Sequence, residues 1–257
     1  MLSDEILQRF ARIGLLYGFE GLKKLTQAHV CVIGVGGVGS WATESLARSA
    51  VGKLTIIDMD SVCLTNTNRQ IHALDKNYGK PKVEVMKERI LAINPACIVE
   101  PLEVFLSKEN LSQLITSRFD LVIDAIDSVQ SKAALIAHCK RSKIPLIVSG
   151  GAGGKTNPSY ITSGDLAKAC YDPLLAKIRN ILRRDYGFSK NVERKFGIES
   201  VYSTQQLLYP QADGSVSHAK PCANGEYEKI ANFGTVTMVT ASFGLRIASR
   251  VVEKLLA

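Results

Sequence analysis

Residues 30–40 read VCVIGVGGVGS, a short apolar run followed at once by a loop that contains four glycines. Gly34, Gly36 and Gly39 have the spacing G-x-G-x-x-G, which places bare backbone N–H groups between a strand and a helix, beside a phosphate. Asp58 ends the next apolar run, at the position where an acid binds a ribose hydroxyl in dinucleotide-binding folds. This order of elements indicates a nucleotide site. The alternative is a glycine turn that only lets helix and strand pack closely.

Apolar runs and helical patterns alternate through the first 150 residues. The predicted strands lie near residues 29–33, 53–58, 97–104, 120–124 and 145–149. The predicted helices lie near residues 38–50, 80–93, 107–116 and 128–142. Short strands that alternate with helices form a parallel sheet. We therefore expect a Rossmann-like α/β fold, a doubly wound and mainly parallel sheet with helices on both faces, which binds ligands at the carboxyl ends of its strands.

The pattern changes after the glycine-rich run 150–154, which predicts a mixed C-terminal extension of the sheet. Residues 155–163 are predicted to form a strand, and residues 173–186 an amphipathic helix. The apolar face of that helix is predicted to carry Leu174, Ile178, Ile181 and Leu182.

We expect a single domain over residues 1–257, with a nucleotide-binding half at 1–150 and a basic, substrate-binding half at 151–257 that ends in a helix. Residues 210–227 are rich in turn-forming residues and are predicted to form a mobile loop. A hydropathy scan would flag segment 230–252 as membrane-spanning, but each of its two arginines would cost about 2.5–3.5 kcal/mol near the bilayer centre. We therefore expect a packed helix and no stable membrane insertion.

The composition is that of an ordinary soluble protein, with 46% hydrophobic and 22% charged residues among 257. The net charge of +8 is compatible with a polyanionic partner, although excess lysine also serves solubility. Six scattered cysteines without a C-x-x-C pair argue against a four-cysteine zinc site and favour a reducing compartment. The acidic N-terminus lacks the apolar core of a signal peptide, so we expect a cytoplasmic protein.

The residues after Asp58 argue against a simple dehydrogenase. Asn66, Arg69 and Lys82 supply an amide and two cations near the strand ends that carry the glycine loop. Asp127 follows the predicted strand 120–124, the next strand towards the centre of the sheet. Hydride transfer needs none of these groups, whereas a nucleoside triphosphate needs cations for its phosphates and a carboxylate for Mg²⁺. Taken singly, Arg69 could be a surface residue, Lys82 a charge at a helix start and Asp127 an N-cap, but their shared position favours ATP and Mg²⁺.

Five segments carry a resemblance to the ubiquitin-activating-enzyme-like superfamily, the ThiF/MoeB/HesA group, whose members adenylate carboxylates with ATP. These segments are RFARIGLLYGFEGLKKL at 9–25, GVGGVGS at 34–40, IIDMDSVCLTNTNRQ at 56–70, GKPKVEVMKERILAINP at 79–95 and DAIDS at 124–128. They occur in family order and span most of residues 9–150. The resemblance therefore implies a carboxylate-adenylating domain.

The resemblance also implies roles for individual residues. The residues that would bind ATP are Gly34, Gly36, Gly37, Gly39, Asp58, Asn66, Arg69 and Lys82. The residues that would act in catalysis are Arg12, Arg69, Lys82 and Asp127. Asp127 would bind Mg²⁺, and Arg12 would reach into the partner's site of a homodimer.

Within the superfamily the chain is most similar to the tRNA threonylcarbamoyladenosine dehydratases, through residues 149–184, 200–205 and 234–245. This similarity implies ATP-dependent dehydration, by cyclisation, of threonylcarbamoyladenosine at position 37 of tRNA. It leaves proteins of a cysteine-desulfurase system open as further partners. The basic stretch 177–195 would then bind tRNA, although a solvated helix face is the alternative. Its predicted tRNA-binding residues are Lys177, Arg183, Arg184 and Lys190.

Three other functions stay open at this point. An adenylating activator of a small ubiquitin-like sulfur carrier would share the chemistry but act on a protein C-terminus. An NAD-dependent oxidoreductase would need only the glycine loop, to bind its cofactor. A nucleotide-binding scaffold would bind the nucleotide and catalyse no reaction. Cys222 is the loop cysteine that could act as a nucleophile. The alternative is that it is an unreactive loop thiol.

Overall fold

The structure is a computed structural model that describes residues 2–220 and 233–257. Its strands are β1 His29–Ile33, β2 Lys53–Ile57, β3 Ile98–Leu102, β4 Leu121–Asp124, β5 Leu146–Ser149, β6 Ile161–Asp165, β7 Glu199–Ser203, β8 Tyr209–Pro210 and β9 Val216–Ser217. Its α-helices are α1 Asp4–Tyr17, α2 Phe19–Gln27, α3 Gly39–Arg48, α4 Lys82–Ile93, α5 Leu111–Leu114, α6 Val129–Ser142, α7 Pro173–Asp185 and α8 Thr237–Leu256.

The main sheet has the strand order β3-β2-β1-β4-β5-β7-β6. Every neighbouring pair from β3 to β7 is parallel, and β6 runs antiparallel to β7. The short strands β8 and β9 pair separately. The predicted doubly wound α/β fold with a mixed C-terminal extension is confirmed.

The register of the central strands determines which residues meet at the carboxyl edge. Ile33 of β1 pairs with Ile57 of β2 on one side and with Asp124 of β4 on the other. Gly34, Asp58 and the residues after Asp124 therefore leave the sheet side by side. The strand order reverses between β1 and β4, where a doubly wound sheet opens a crevice for ligands.

Apolar cores cover both faces of the sheet because neighbouring strand residues point to opposite sides. Cys31 and Ile33 belong to the core that includes α6 and α7, whereas Val30 and Val32 belong to the core that includes α3, α4 and α8. The central strands are thus buried on both faces, which explains why their sequences are continuous apolar runs.

Helix α8 is the packed helix that segment 230–252 predicted, although residues 230–232 lie outside the described part of the chain. Its residues Phe243, Ile247 and Val251 are fully buried. A side chain at Gly244 would lie 2.7 Å from the backbone of α3, so these helices cross in close contact. Within the described ranges, no helix combines the length and the apolar character needed to cross a membrane.

Two predicted elements are shorter than expected because side chains of asparagine bind nearby backbone groups. The helix predicted at 107–116 is helical only in α5, since the Asn110 side chain accepts from Ser107 N and donates to the Phe105 carbonyl. The strand predicted at 155–163 begins only at Ile161, because the Asn157 side chain caps a 3-10 turn that Pro158 opens.

Three further details differ from the sequence prediction. On α7 the predicted residues Ile178, Ile181 and Leu182 are buried, but the fourth buried residue is Leu175, and Leu174 instead lines a cavity described below. Strand β7 was not predicted. Of the loop predicted at 210–227, the described part contains the β8–β9 pair, and residues 221–227 lie outside the described ranges.

Candidate active site

Two glycines of the loop after β1 are required by the backbone itself. Gly34 has φ of +83°, and a side chain there would lie 2.8 Å from the Ala125 carbonyl oxygen. A side chain at Gly39 would lie only 1.8 Å from the Gly34 carbonyl oxygen. Gly39 therefore allows α3 to start directly against the strand, which is the packing role of the third glycine in this motif.

The other two glycines leave space for a ligand. A side chain at Gly36 would find its nearest neighbour, Gln70 Nε2, at 3.8 Å, and a side chain at Gly37 would make ordinary contacts with Arg69 and Thr240. Both glycines line the cavity at the start of α3. Unpaired backbone N–H groups and the helix dipole favour an anion at such a position.

Gly39→Ala is expected to lower the free energy of unfolding by about 1–3 kcal/mol, because the added methyl group overlaps a backbone oxygen. Gly36→Ala is the matched control, and its stability should stay within about 0.5 kcal/mol of wild type because the site is open. Urea unfolding of both variants measures the difference. Equal losses of stability would contradict the distinction between the two glycines.

A cavity of about 410 Å³ opens at the carboxyl edge, between the ends of β1, β2 and β4. It brings together the predicted site residues Gly34, Gly36, Gly37, Asp58, Asn66, Arg69, Lys82 and Asp127. Gly39 and Arg12 are not among its lining residues. The sequence therefore identified a spatial cluster, and eight of its predicted residues share one cavity.

The Asp58 carboxylate is fixed by two backbone groups. Its Oδ2 accepts from Val35 N at 2.8 Å, and its Oδ1 accepts from Asp60 N at 2.9 Å. Each oxygen keeps a lone pair for a further donor. The carboxylate is thus held beside the glycine loop, as a ribose-binding acid requires.

Lys82 is buried at the first residue of α4, where its side chain is 7% exposed. Its Nζ lies 2.7 Å from Oδ2 of Asp60, whose side chain is 62% exposed. A buried cation at the positive end of a helix is unfavourable unless an anion compensates it. Because Asp60 is solvated, an anionic ligand in the cavity would add much of that compensation.

Arg69 and Asn66 are positioned by the 3-10 turn Leu64–Asn66. The Arg69 guanidinium donates to the Thr65 carbonyl at 2.8 Å, and the Asn66 Oδ1 accepts from Cys63 N at 3.0 Å. The Arg69 carbonyl in turn accepts from Trp41 of α3 and from Thr240 of α8. Helices α3 and α8 therefore both hold this segment at the cavity.

Asp127 extends into the cavity after β4, and it makes no hydrogen bond or ion pair with the residues that the structure describes. Beneath it lies a fully buried ion pair, in which Lys132 Nζ donates to Asp124 Oδ1 at 2.8 Å. Lys132 also donates to the carbonyls of Asp124 and Ile126. Burial raises the pKa of Asp124, and the Lys132 ammonium opposes that rise. The pair fixes the backbone that presents Asp127.

The sequence model of the ThiF family matches residues 8–256. The chain belongs to the ThiF family. The resemblance predicted from the sequence is thereby confirmed.

Several similar proteins match nearly the whole chain. The tRNA threonylcarbamoyladenosine dehydratase of Haemophilus influenzae is 53% identical over 255 residues, which cover 98% of this chain and 95% of the relative. The solved structure of the Escherichia coli tRNA N6-threonylcarbamoyladenosine dehydratase, TcdA, in complex with ATP has a TM-score of 0.89 and 47% identity, covering 99% and 96% of the two chains. Its complex with AMP has a TM-score of 0.89, 49% identity and the same coverage.

Sequence reasoning missed part of this ThiF site. Gln70 lines the cavity with 6% of its surface exposed, and its Oε1 has no hydrogen-bond partner within the described ranges. The run 149–153 also lines the cavity, although the sequence suggested only a boundary there. Thr235 and Thr240 come from the C-terminal part of the chain. The sequence signal that could have identified Gln70 as a site residue was its position next to Arg69.

Arg12 is exposed on α1, outside the cavity of its own chain. Nearby, Leu15 and Leu16 are 78% and 70% exposed, which forms an apolar surface at the end of this helix. Such a surface suits a protein interface. The role of Arg12 in a partner's site stays a prediction.

The basic side chains of the stretch 177–195 differ in their exposure and in their hydrogen bonds. Arg183 is half-buried, donates to the Ser189 carbonyl at 3.3 Å and lies over the Phe196 ring at 5.3 Å. Arg184 forms two hydrogen bonds with the neighbouring Asp185. Lys177 and Lys190 are exposed. The two lysines are therefore the predicted tRNA ligands that extend freely into solvent.

Among the described cysteines, Cys63 is exposed near the cavity. A hydrogen bond from Thr65 lowers the pKa of the Cys63 thiol. Cys222, predicted as a candidate nucleophile, lies outside the described residues.

Proposed function

We propose that this chain is an ATP-dependent tRNA threonylcarbamoyladenosine dehydratase. It adenylates the carboxylate of threonylcarbamoyladenosine at position 37 of tRNA and closes a ring with loss of water. The observation that carries this proposal is one cavity in which the glycine loop, two cations and three carboxylates converge. The near full-length similarity to dehydratases supports the substrate, since it extends through both halves of the chain.

The first step forms an acyl adenylate. A carboxylate oxygen of the substrate attacks the α-phosphorus of ATP, and the bond to the bridging oxygen breaks as pyrophosphate leaves with the electron pair. Negative charge grows on the α-phosphate and on pyrophosphate. Arg69 and Lys82 of the same chain, with Arg12 of the partner subunit, are the cations that we assign to this charge. Asp58 is assigned to the ribose, and Asn66 to the phosphates.

The second step closes the ring. A nucleophilic group of the same threonylcarbamoyl side chain attacks the acyl carbon, loses its proton and expels AMP. The net change is removal of one water from the nucleoside as ATP becomes AMP and pyrophosphate. No atom changes its oxidation state, so the balance needs no redox cofactor.

Asp127 is the residue that we assign to Mg²⁺. Its carboxylate is exposed in the cavity and has no partner in the described chain, whereas Asp58 is already bound by two N–H groups. Within residues 2–220 and 233–257, no three metal-binding side chains form a site of their own. Mg²⁺ is commonly bound by one carboxylate plus nucleotide phosphates, and it would neutralise phosphate charge there.

The decisive experiment analyses tRNA nucleosides by mass spectrometry. tRNA that carries threonylcarbamoyladenosine is incubated with the protein and ATP, and the modified nucleoside is expected to lose one water. Reactions with NAD in place of ATP test the oxidoreductase alternative. Unchanged tRNA, together with AMP release that depends on a sulfur-carrier protein, would favour the carrier activator instead.

tRNA is proposed to bind along 177–195, in the substrate-binding half 151–257, next to the nucleotide-binding half 1–150. Changing Lys177 and Lys190 together to Gln should flatten the slope of log K against log salt by about two units, because two phosphate contacts are lost. Filter binding at several salt concentrations measures the slope.

The control for this variant changes Lys76 and Lys143 to Gln, since both are exposed lysines outside the stretch. This control keeps the net charge equal and should retain the wild-type slope. Equal slopes for the two double variants would assign tRNA to another surface. Arg183 and Arg184 should contribute after their intramolecular bonds open.

We also propose a homodimer in which Arg12 completes the partner's site. Arg12→Ala and Asp127→Ala should each be inactive, and their equimolar mixture should recover about a quarter of wild-type AMP release, because half of the dimers are mixed and each has one intact site. Rates are measured after subunit exchange has been verified by mass spectrometry. If exchanged dimers recover no AMP release, Arg12 acts in the active site of its own subunit.

A cytoplasmic location and an association with cysteine-desulfurase proteins complete the proposal. The free state of Cys31, Cys63, Cys97, Cys139 and Cys170 supports a reducing compartment. Affinity capture on a purified cysteine desulfurase, with bovine serum albumin as the control bait, tests the association.

A further inference from the structure

Asp60 is the third carboxylate of the cavity, and the proposed reaction does not use it. Its Oδ2 lies 2.7 Å from Nζ of Lys82, a cation that we assign to the phosphates. The two side chains differ in exposure, since Asp60 is 62% exposed and Lys82 only 7%. If this pair opens, water can hydrate the Asp60 carboxylate, but the Lys82 ammonium stays buried and needs another anion.

The backbone holds both residues independently of the contact between their side chains. Asp60 N donates to Oδ1 of Asp58 at 2.9 Å, and the Asp60 carbonyl accepts from Lys82 N at 2.9 Å. The residues beside them, Ser61 and Pro81, form an antiparallel bridge between the same two segments. Opening of the ion pair therefore moves side chains and leaves the main chain in place.

Arg69, the second cation that lines the cavity, is held in a different way. Its guanidinium donates to the Thr65 carbonyl at 2.8 Å and to Oδ1 of Asn68 at 3.0 Å, and both acceptors are neutral. It has no carboxylate partner among the residues that the structure describes, so its charge is fully available to a ligand. The charge of Lys82 is instead shared with Asp60 until an anionic ligand competes for it.

We propose that Asp60 is an exchangeable counter-ion, which releases Lys82 to the phosphates of ATP and pairs with it again when pyrophosphate leaves. Asp60 is a positioning residue, because it acts through Lys82. The buried ammonium then faces an anion at every stage, so neither binding nor release leaves it unpaired. Competition from the Asp60 carboxylate weakens the binding of polyphosphates and favours product release. The inference rests on the proposed function, because pyrophosphate is a product of that reaction.

The test compares wild type with Asp60→Asn, which removes the charge and keeps the size of the side chain. Without the competing carboxylate, the Kd values of ATP and of pyrophosphate should each fall by about tenfold in calorimetry at constant ionic strength and Mg²⁺ concentration. The inhibition constant of pyrophosphate in tRNA-dependent AMP release should fall by a similar factor. Adenosine has no phosphate, so its Kd should not change, whereas a merely structural effect would alter it together with the others.

A double-mutant cycle with Lys82→Met separates exchange from general repulsion. In the Lys82→Met background, Asp60→Asn should change the Kd of ATP by less than about threefold, because Asp60 then has no cation to release. An equal gain of affinity in both backgrounds would mean that Asp60 only repels phosphates from a distance, and it would overturn the inference.

Asp75→Asn is the matched control, since Asp75 is an exposed carboxylate on the same connection between β2 and α4. It should leave all these constants unchanged, and Asp60→Glu, which keeps the charge, should bind ATP more like wild type than Asp60→Asn does. Unchanged or weaker ATP binding by Asp60→Asn, an equal effect of Asp75→Asn, or an Asp60→Asn protein that fails to fold would overturn the inference. If wild type does not modify tRNA, the proposed function fails, while the Kd values of ATP and pyrophosphate still decide the role of Asp60.

Discussion

Lys82→Met is expected to lower the rate of AMP release by about 10²–10³-fold, because it removes one fixed cation from the site of developing phosphate charge. The fold should survive, since the only ion-pair partner within the described residues is Asp60, which is 62% exposed and becomes solvated. The Lys82 ammonium at the start of α4 is also repelled by the helix dipole, so the substitution removes an unfavourable electrostatic interaction. AMP release with ATP and tRNA measures the rate, and circular dichroism follows the fold.

Lys80→Met provides the control for this prediction. Lys80 is exposed and lies two residues before Lys82, so the same substitution there changes the net charge equally. Its AMP release should remain at the wild-type rate. If both variants lose rate equally, the general charge of the surface is responsible and the specific role of Lys82 is wrong.

Lys132→Met is expected to lower the free energy of unfolding by about 3–5 kcal/mol, because it leaves Asp124 buried without its partner. Both side chains of this pair are 0% exposed, so water cannot replace the lost ammonium without opening the core. Urea unfolding measures the loss. Lys140→Met on the same helix is the control, and it should be nearly neutral because Lys140 is exposed.

The double variant Asp124→Leu with Lys132→Met separates the cost of an unpaired charge from the value of the pair. Replacing both charges removes the unpaired carboxylate, so part of the lost stability should return. Recovery should be incomplete, because the carbonyls of Asp124 and Ile126 also lose their donor. A double variant no more stable than Lys132→Met would show that the charge itself is not the cost.

The central part of the fold could be predicted because local patterns and the global topology agree there. The apolar runs that end at Ile33, Ile57 and Asp124 are buried parallel strands, and their carboxyl ends meet by the rules of a doubly wound sheet. Predicted site residues placed just after those runs therefore had to converge. Five of the eight predicted residues in the cavity follow a strand end within four residues, namely Gly34, Gly36, Gly37, Asp58 and Asp127.

Other features depend on contacts that no local pattern encodes. Strand β7 joins the sheet only through long-range pairing with β5 and β6. The interior position of Lys155 requires carbonyls from Tyr171, Ser203 and Gln205, which follow Lys155 by 16, 48 and 50 residues. Arg183 resembles its exposed neighbours in sequence, but the Phe196 ring and the Ser189 carbonyl reduce its freedom.

The close crossing at Gly244 has a consequence for how the protein is made. Helix α8 packs on α3 there, and its residues Thr237 and Thr240 donate to the carbonyls of Asn68 and Arg69. Translation proceeds from the N-terminus, so the glycine loop leaves the ribosome long before α8 exists. A nascent chain that already contains every phosphate-binding residue therefore still lacks a finished nucleotide cavity. Capture of ATP should begin only once the last helix has emerged and docked.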